Sequence, residues 1–220
     1  MKVAIFDFDG TLFPKETFPL MMKHLKTHPV HKNKYRKFIG RLLPVYIAYK
    51  CKLYREKKMK EYSMKCFLSS LGTIREKEVE QFFEELAAHM KENLDERVIK
   101  KLEAHRKEGY YIMLVSGAFE PLLYAVTENI TFDRIIGTVI PYKENKLNVQ
   151  APISHVNGER KKEKILEALI ENEVDWQNSF AYGDSYSDLD VLQLVGNAVA
   201  VQPEPRLLEV AKKMEWEIIS

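Results

Sequence analysis

The sequence predicts an α/β protein built on a doubly wound parallel sheet, with a block of helices inserted directly after the first strand. Three observations carry this expectation. Short apolar runs recur along the chain, helical patterns separate most of them, and between Lys15 and about Met90 the strand signal gives way to long helical periodicity. Strands that alternate with helices form parallel sheets, because parallel neighbours need crossover connections that cover both faces. At 220 residues and 45% hydrophobic content, the chain can bury a substantial core, and its length fits one domain with a sizeable insertion.

The first strand is the run KVAIF, which ends at acidic and glycine-containing residues as a buried strand does when it meets an active-site loop. The insertion follows, and Glu76 to Leu94 shows its periodicity best: Val79, Phe82, Phe83, Leu86 and Met90 trace one apolar face. Tyr110 to Val115, Ile135 to Ile140, Phe180 to Tyr182 and Ala198 to Val201 are the remaining strand candidates. Gly109, Pro141 and Pro203 mark turns, and Gln202 to Pro205 reads as a loop before a last helix. Because the insertion follows the first strand, it is expected over the carboxyl end of the sheet, where open α/β sheets bind ligands.

Composition narrows the functional classes. Cys51 and Cys66 stand in no zinc-like spacing, so a disulfide framework or structural zinc is not expected. No long apolar run and no secretory leader is present, and the expectation is a cytoplasmic protein. The net charge of +2 hides an asymmetry: residues 21 to 60 hold thirteen Lys or Arg against the single acid Glu56. That basic half is suited either to an anionic partner or to plain solvation, and no nucleic-acid role is expected. Within it, Phe38 to Tyr54 mixes aromatics with cations; packing among helices is the preferred reading, with membrane-surface contact the alternative. His24, His28 and His31 have metal-like spacing, but Pro29 interrupts the helix that would align them, so they read as scattered surface histidines.

The chemistry concentrates at strand ends. Asp7-Phe8-Asp9-Gly10-Thr11 follows the first strand, and alternation in an extended segment aims Asp7 and Asp9 at one site. Two neighbouring carboxylates repel, and a proton or a cation must relieve them. Gly183-Asp184-Ser185-Tyr186-Ser187-Asp188 follows another apolar run, and its carboxylates can join Asp7 around a hard, oxygen-seeking cation such as magnesium. Val115-Ser116-Gly117-Ala118 offers a hydroxyl and backbone amides at a strand-to-helix turn, where an anion can sit.

Taken in order, DFDGT, VSG, a lysine at Lys161 or Lys162, and GDSYSD resemble the haloacid dehalogenase superfamily of phosphohydrolases, over almost the whole chain. The closest likeness is to its phosphoserine-phosphatase-like branch, which inserts a helical cap just after the first motif. The resemblance implies a Rossmann-like core of residues 1–14 and 91–220, a cap of residues 15–90, and a Mg2+-dependent phosphatase acting on a small phosphorylated metabolite. It implies that Asp7 attacks phosphorus, and that Asp9 protonates the leaving oxygen and later activates water. It further implies that Thr11, Ser116 and the Gly117 amide bind phosphoryl oxygens. Magnesium would be held by Asp7, the Asp9 main-chain carbonyl and Asp184, with Asp188 orienting the shell.

For the catalytic lysine, Lys162 is preferred because Leu166 and Leu169 follow at helical spacing, whereas alignment on Gly158-Glu159 favours Lys161. Glu16 stands where phosphoserine phosphatases place a substrate-binding glutamate. No arginine matches the one that pairs with a serine carboxylate; Lys65 is the nearest substitute and lacks the bidentate fork. A phosphotransferase or phosphomutase using the same residues, and a non-catalytic phosphoryl-binding module, are the alternative readings.

Overall fold

The computed structural model describes residues 1–220. Strand β1 (Val3–Phe6) is followed by four helices, α1 (Thr17–Thr27), α2 (Lys32–Lys50), α3 (Glu56–Leu71) and α4 (Glu76–Ala88). Next come α5 (Glu96–Lys107), β2 (Tyr111–Phe119), α6 (Glu120–Val126), β3 (Arg134–Thr138) and a small hairpin, β4 (Tyr142–Lys143) with β5 (Lys146–Leu147). The chain finishes with α7 (Glu159–Ala168), β6 (Phe180–Gly183), α8 (Leu189–Leu192), β7 (Asn197–Val201), α9 (Pro205–Lys213) and β8 (Glu217–Ile219). The six long-range strands pair in parallel in the order β3-β2-β1-β6-β7-β8. Strand order therefore reverses at β1, with β2 on one side and β6 on the other. The crevice at such a switch point is where doubly wound sheets hold ligands.

Both sheet faces are covered, and the alternation of side chains assigns each residue its layer. Ala4 and Phe6 of β1 join a 36-residue apolar cluster with Ile112, Leu114, Tyr182, Val199 and Val201. Val3 and Ile5 point the other way, into a 15-residue cluster closed by Ile165 and Leu169 of α7 and Leu207 and Ala211 of α9. The inserted helices pack into the larger cluster. Phe67 and Phe83 stand 6.2 and 5.8 Å from Phe119 at the end of β2, ring centre to ring centre, and Phe82 is 5.8 Å from Phe67. The hairpin ties on as well, through Glu76 N–H to Asn145 O and Leu147 N–H to Ile74 O.

Several local expectations change. β2 extends through Phe119 rather than ending at Val115, and β3 covers Arg134–Thr138 rather than Ile135–Ile140. The hairpin and β8 were not foreseen. A two-residue strand shows no period, although Glu144 and Asn145, both at positive φ, are what a tight hairpin turn demands. The histidines are not scattered on the surface: His28 and His31 are buried. Pro29 does end α1, but the chain then folds inward. His28 Nδ1 accepts hydrogen bonds from the Val30 and His31 amides at 3.1 Å, and His28 Nε2 lies 3.0 Å from Glu85 Oε2 of α4. With Nδ1 acting as acceptor, the neutral ring carries its proton on Nε2, which leaves no lone pair for a metal. In α2 only Phe38 and Leu42 are buried, while Leu43, Tyr46 and Ile47 stay exposed, so packing accounts for one edge of that helix. No helix is long and apolar enough to cross a membrane.

The shared cluster generates a test. Phe82 is buried against Phe67, Phe83, His24 and His28, so Phe82→Ala should cost about 3–5 kcal/mol in urea unfolding. A loss below about 1 kcal/mol would show that the inserted helices do not unfold with the sheet.

Candidate active site

β1 carries its pairing one residue past its end: Asp7 N–H donates to Tyr182 O at 3.0 Å. The next residues turn sharply, with Leu12 N–H bonded to Asp7 O and Phe13 N–H to Phe8 O. Phe8 is fully buried on the apolar side, which leaves Asp7 and Asp9 directed at the crevice. Gly10 sits at φ 77°, and a Cβ there would meet Asp184 Oδ2 at 2.2 Å. Glycine is required twice over, for the turn and for the approach of the second acidic loop.

That second loop leaves β6. Asp188 is buried and Asp184 half-buried, and carboxylate oxygens of Asp7, Asp184 and Asp188 all lie within 4.8 Å of one another. Lys161 is their counter-charge. Its Nζ donates to Asp7 Oδ1 at 2.6 Å and to Asp188 Oδ1 at 2.5 Å, and all three side chains are almost completely buried. The preference for Lys162 is therefore corrected as to position. The buried face of α7 is Lys161 and Ile165, continued by Leu169 just past the end of the helix, whereas Leu166 is 41% exposed. Lys162 lies one residue off that face and reaches no carboxylate of the cluster.

Burial pushes the Asp7 carboxyl up to about 7; Lys161 opposes the shift and Asp188 adds to it. Asp184 rises to about 8, first from burial and then from Asp7 and Asp188. Burial alone would lower the Lys161 ammonium, but the two carboxylates outweigh it and hold it protonated. Three carboxylates against one ammonium leave uncompensated negative charge. The Asp184 carboxylate accepts no hydrogen bond from the protein, and the Asp9 main-chain oxygen accepts none from the backbone. This all-oxygen donor set fits a hard divalent cation such as Mg2+. Asp188 is otherwise engaged: besides Lys161 it accepts from the Ser185 hydroxyl and amide, at 2.9 and 3.3 Å.

Asp9 has different partners. Thr17, the first residue of α1, donates its amide to Oδ1 at 3.1 Å and its hydroxyl to Oδ2 at 2.9 Å. Desolvation, followed by repulsion from Asp7 and Glu16, raises the Asp9 carboxyl well above the usual range despite those bonds. Opposite, β2 shifts its register against β3 between Val115 and Phe119, and Ser116, Gly117 and Ala118 of this irregular stretch of strand line the crevice. The Ser116 oxygen accepts from Ala118 N–H at 3.1 Å and keeps its own proton for donation. Gly117 is held by space: a Cβ would meet His155 Nε2 at 2.7 Å.

These groups line one cavity of about 380 Å3, its floor at the strand ends and its walls on α1, α2 and α3. Glu16 lines it from an exposed position at the start of α1. Thr11 does not. Its hydroxyl is buried without a partner and lies outside the lining, because the turn after Gly10 carries it under the loop. Lys65 is exposed and absent from the cavity. Thr17, His155 and Asn157 are site residues that sequence reasoning missed. Thr17 had a readable signal, a threonine opening a helix just after an acidic loop; the other two lie in an irregular segment with none.

The sequence profile of the haloacid dehalogenase-like hydrolases matches residues 4–193. Phosphoserine phosphatase SerB1 of Mycobacterium tuberculosis is 26% identical over 142 residues, covering 61% of this chain and 46% of that protein. The chain thus spans about half the length of the curated relatives it matches. Among solved structures, a protein of unknown function from Bordetella pertussis Tohama I superposes with a TM-score of 0.81 at 18% identity, covering 100% of this chain and 98% of that one. A phospho-aspartyl intermediate analogue of phosphoserine phosphatase gives 0.60 at 21% identity, covering 99% and 92%. These likenesses fix the fold, and the profile match over most of the sequence, including both acidic loops and Lys161, makes this chain a member of the haloacid dehalogenase-like hydrolase family.

Proposed function

We propose that the chain is a Mg2+-dependent phosphomonoester hydrolase that works through an aspartyl phosphate on Asp7, with residues 1–14 and 91–220 as catalytic core and 15–90 as cap. The observation that carries this reading is the separation of the two motif carboxyls. Asp7 is paired with a buried ammonium, while Asp9 has no cation and is held by Thr17 with its proton affinity raised. Carboxyls in environments that differ this way divide into nucleophile and acid.

In the first half-reaction a lone pair on Asp7 Oδ2, the oxygen not bonded to Lys161, forms the new bond to phosphorus. The bond from phosphorus to the leaving oxygen breaks, and that oxygen takes the Asp9 proton. In the second half-reaction, ionised Asp9 takes a proton from water, the water oxygen bonds to phosphorus, and the Asp7–phosphorus bond breaks to return the carboxylate and inorganic phosphate. Ser116 Oγ–H, the Gly117 amide and the Lys161 ammonium would bind phosphoryl oxygens, a role supported by their presence in the cavity lining. Asp7, the Asp9 carbonyl and Asp184 would hold the cation, which supplies charge neutralisation when bound. Thr11 and Lys162 take no part in this scheme, and Asp188 acts by holding Lys161. A phosphotransferase would use the same groups, and nothing at the site favours a sugar hydroxyl over water as acceptor.

Asp7→Asn is nearly isosteric but not nucleophilic, so phosphate release should fall at least about 10³-fold with the unfolding midpoint retained. Comparable activity in the folded variant rules out the aspartyl-phosphate route. The lysines separate cleanly in steady-state assays. Lys161→Ala should lose at least about 10²-fold in kcat, as removal of a preorganised charge does, and Lys162→Ala, a solvated side chain, should stay within about threefold. The opposite ranking would return the role to Lys162.

The raised carboxyls set a pH dependence for cation binding. Asp7 at about 7 and Asp184 at about 8 keep protons in the folded state that the unfolded chain releases near pH 4. Their contribution to stability is therefore complete below about pH 4 and is lost as pH rises through 7 to 8. A cation competes with those protons, so the increase in Tm produced by millimolar MgCl2 should be larger at pH 8 than at pH 6. An increase that is equal at both pH values, or larger at pH 6, would remove these carboxylates from the cation site.

A further inference from the structure

The walls of the cavity differ in chemistry from its floor. Phe18 and Met22 of α1, Leu42 and Tyr46 of α2, and Met59 and Met64 of α3 face the space above the strand ends. The polar groups that these helices bring to it are few and mostly engaged. Thr17 is spent on Asp9, and the Ser63 hydroxyl donates within its own helix to Met59 O at 2.8 Å. Lys60 pairs with Glu56 at 3.1 Å and is 45% exposed, which leaves Glu16 at the rim. No arginine lines the cavity. A substrate that brought an ammonium and a carboxylate into this space would bury them against thioethers and rings, at a cost that unpaired charges do not recover. The apolar lining also continues outwards. Leu43, Tyr46 and Ile47 form an exposed strip on α2, at 50, 41 and 53% exposure, contiguous through Leu42 and Tyr46 with the wall.

We infer that the substrate is a phosphomonoester with an extended apolar leaving group, which lies against the wall formed by α1, α2 and α3 and leaves over the strip on α2. The inference rests on the phosphomonoesterase reading and deepens it. The phosphoryl group takes the charged floor, and the remainder of the substrate takes the apolar wall beside it. Methionines suit this task, since an unbranched thioether side chain adapts to a flexible chain without a fixed shape.

The test is a homologous series of n-alkyl phosphates from ethyl to octyl, measured beside O-phosphoserine, with n-alkyl phosphonates as non-hydrolysable competitors. Each methylene moved from water to the wall should raise kcat/KM about three- to fourfold, mainly through KM, and lower the phosphonate inhibition constant in step. O-phosphoserine should fall below octyl phosphate. Leu42→Gln and Met59→Gln should flatten the series, with folding checked by the unfolding midpoint. Octyl phosphate in solution against phosphatidic acid in phosphatidylcholine vesicles separates a soluble from a bilayer source of the same chemistry. Phosphate release that does not vary with chain length, or is fastest with O-phosphoserine, overturns the inference and leaves the phosphatase reading standing. If no phosphomonoester is hydrolysed, the phosphatase reading fails, and chain-length-independent phosphonate binding would then sink the wall as a binding surface too.

Discussion

The ammonium of Lys161 between Asp7 and Asp188 is the interaction on which the rest of the site depends. It joins three separate elements: the end of β1, the loop after β6 and the first turn of α7. All three groups are buried, and a buried carboxylate pair with no cation would have to take up protons or separate. Pairing by one lysine lets the two acidic loops approach closely enough that only glycine fits at position 10. The same bond fixes one oxygen of Asp7 and leaves the other directed into the crevice. Fold and site are coupled here, because the switch in strand order that creates the crevice also sets β2 and β6 on either side of Asp7, the proposed nucleophile.

Much of this was legible in the residues, and the parts that were not have identifiable causes. Acidic pairs after apolar runs marked β1 and β6 because a buried strand has to end before its chain can expose a carboxylate. The parallel sheet followed from the alternation of strand and helix. Between Lys161 and Lys162 the sequence favours the wrong one as partner of the carboxylates, because Leu166 and Ile165 are both apolar, and a helix with two adjacent apolar residues does not declare which one faces inward. Thr11 looked like a phosphate ligand from its place in a motif, yet the turn after Gly10 carries its hydroxyl beneath the loop. His28 looked superficial because Pro29 breaks the helix. Nothing local reveals that the break folds inward and that the ring caps it through Val30 and His31.

Thr17 shows how the inserted helices contribute to chemistry as well as to selection. It is the first residue of α1, and both its hydrogen-bonding groups address Asp9. The position of the proposed acid is thus set jointly by the end of β1 and by the start of the insertion. Because α1 also contributes Phe18 and Met22 to the wall, anything that shifts this helix moves the acid and the apolar surface together. The contacts of Phe67 and Phe83 with Phe119 resist such a shift, since they anchor α3 and α4 to the end of the strand that carries Ser116.

The charge asymmetry fits into the same scheme. A floor of three carboxylates and one lysine would repel the phosphate dianion of the proposed reaction in the absence of a cation, so the local field of the site would not by itself draw such a substrate in. The excess of basic residues between 21 and 60 lies on and around the helices that form the walls, and of these residues Lys60 alone lines the cavity. On the proposed function, long-range attraction by this basic surface would raise the local concentration of an anionic substrate, and short-range groups would take over inside: Ser116, the Gly117 amide and Lys161 as the proposed phosphoryl ligands, and the thioethers and rings of the wall for the rest. Salt screens the first effect and leaves the second largely untouched, because exposed charges act through solvent and the buried ammonium does not. On that reading capture and recognition are separate physical terms, the first carried by the basic residues of the helices and the second by the side chains that line the cavity.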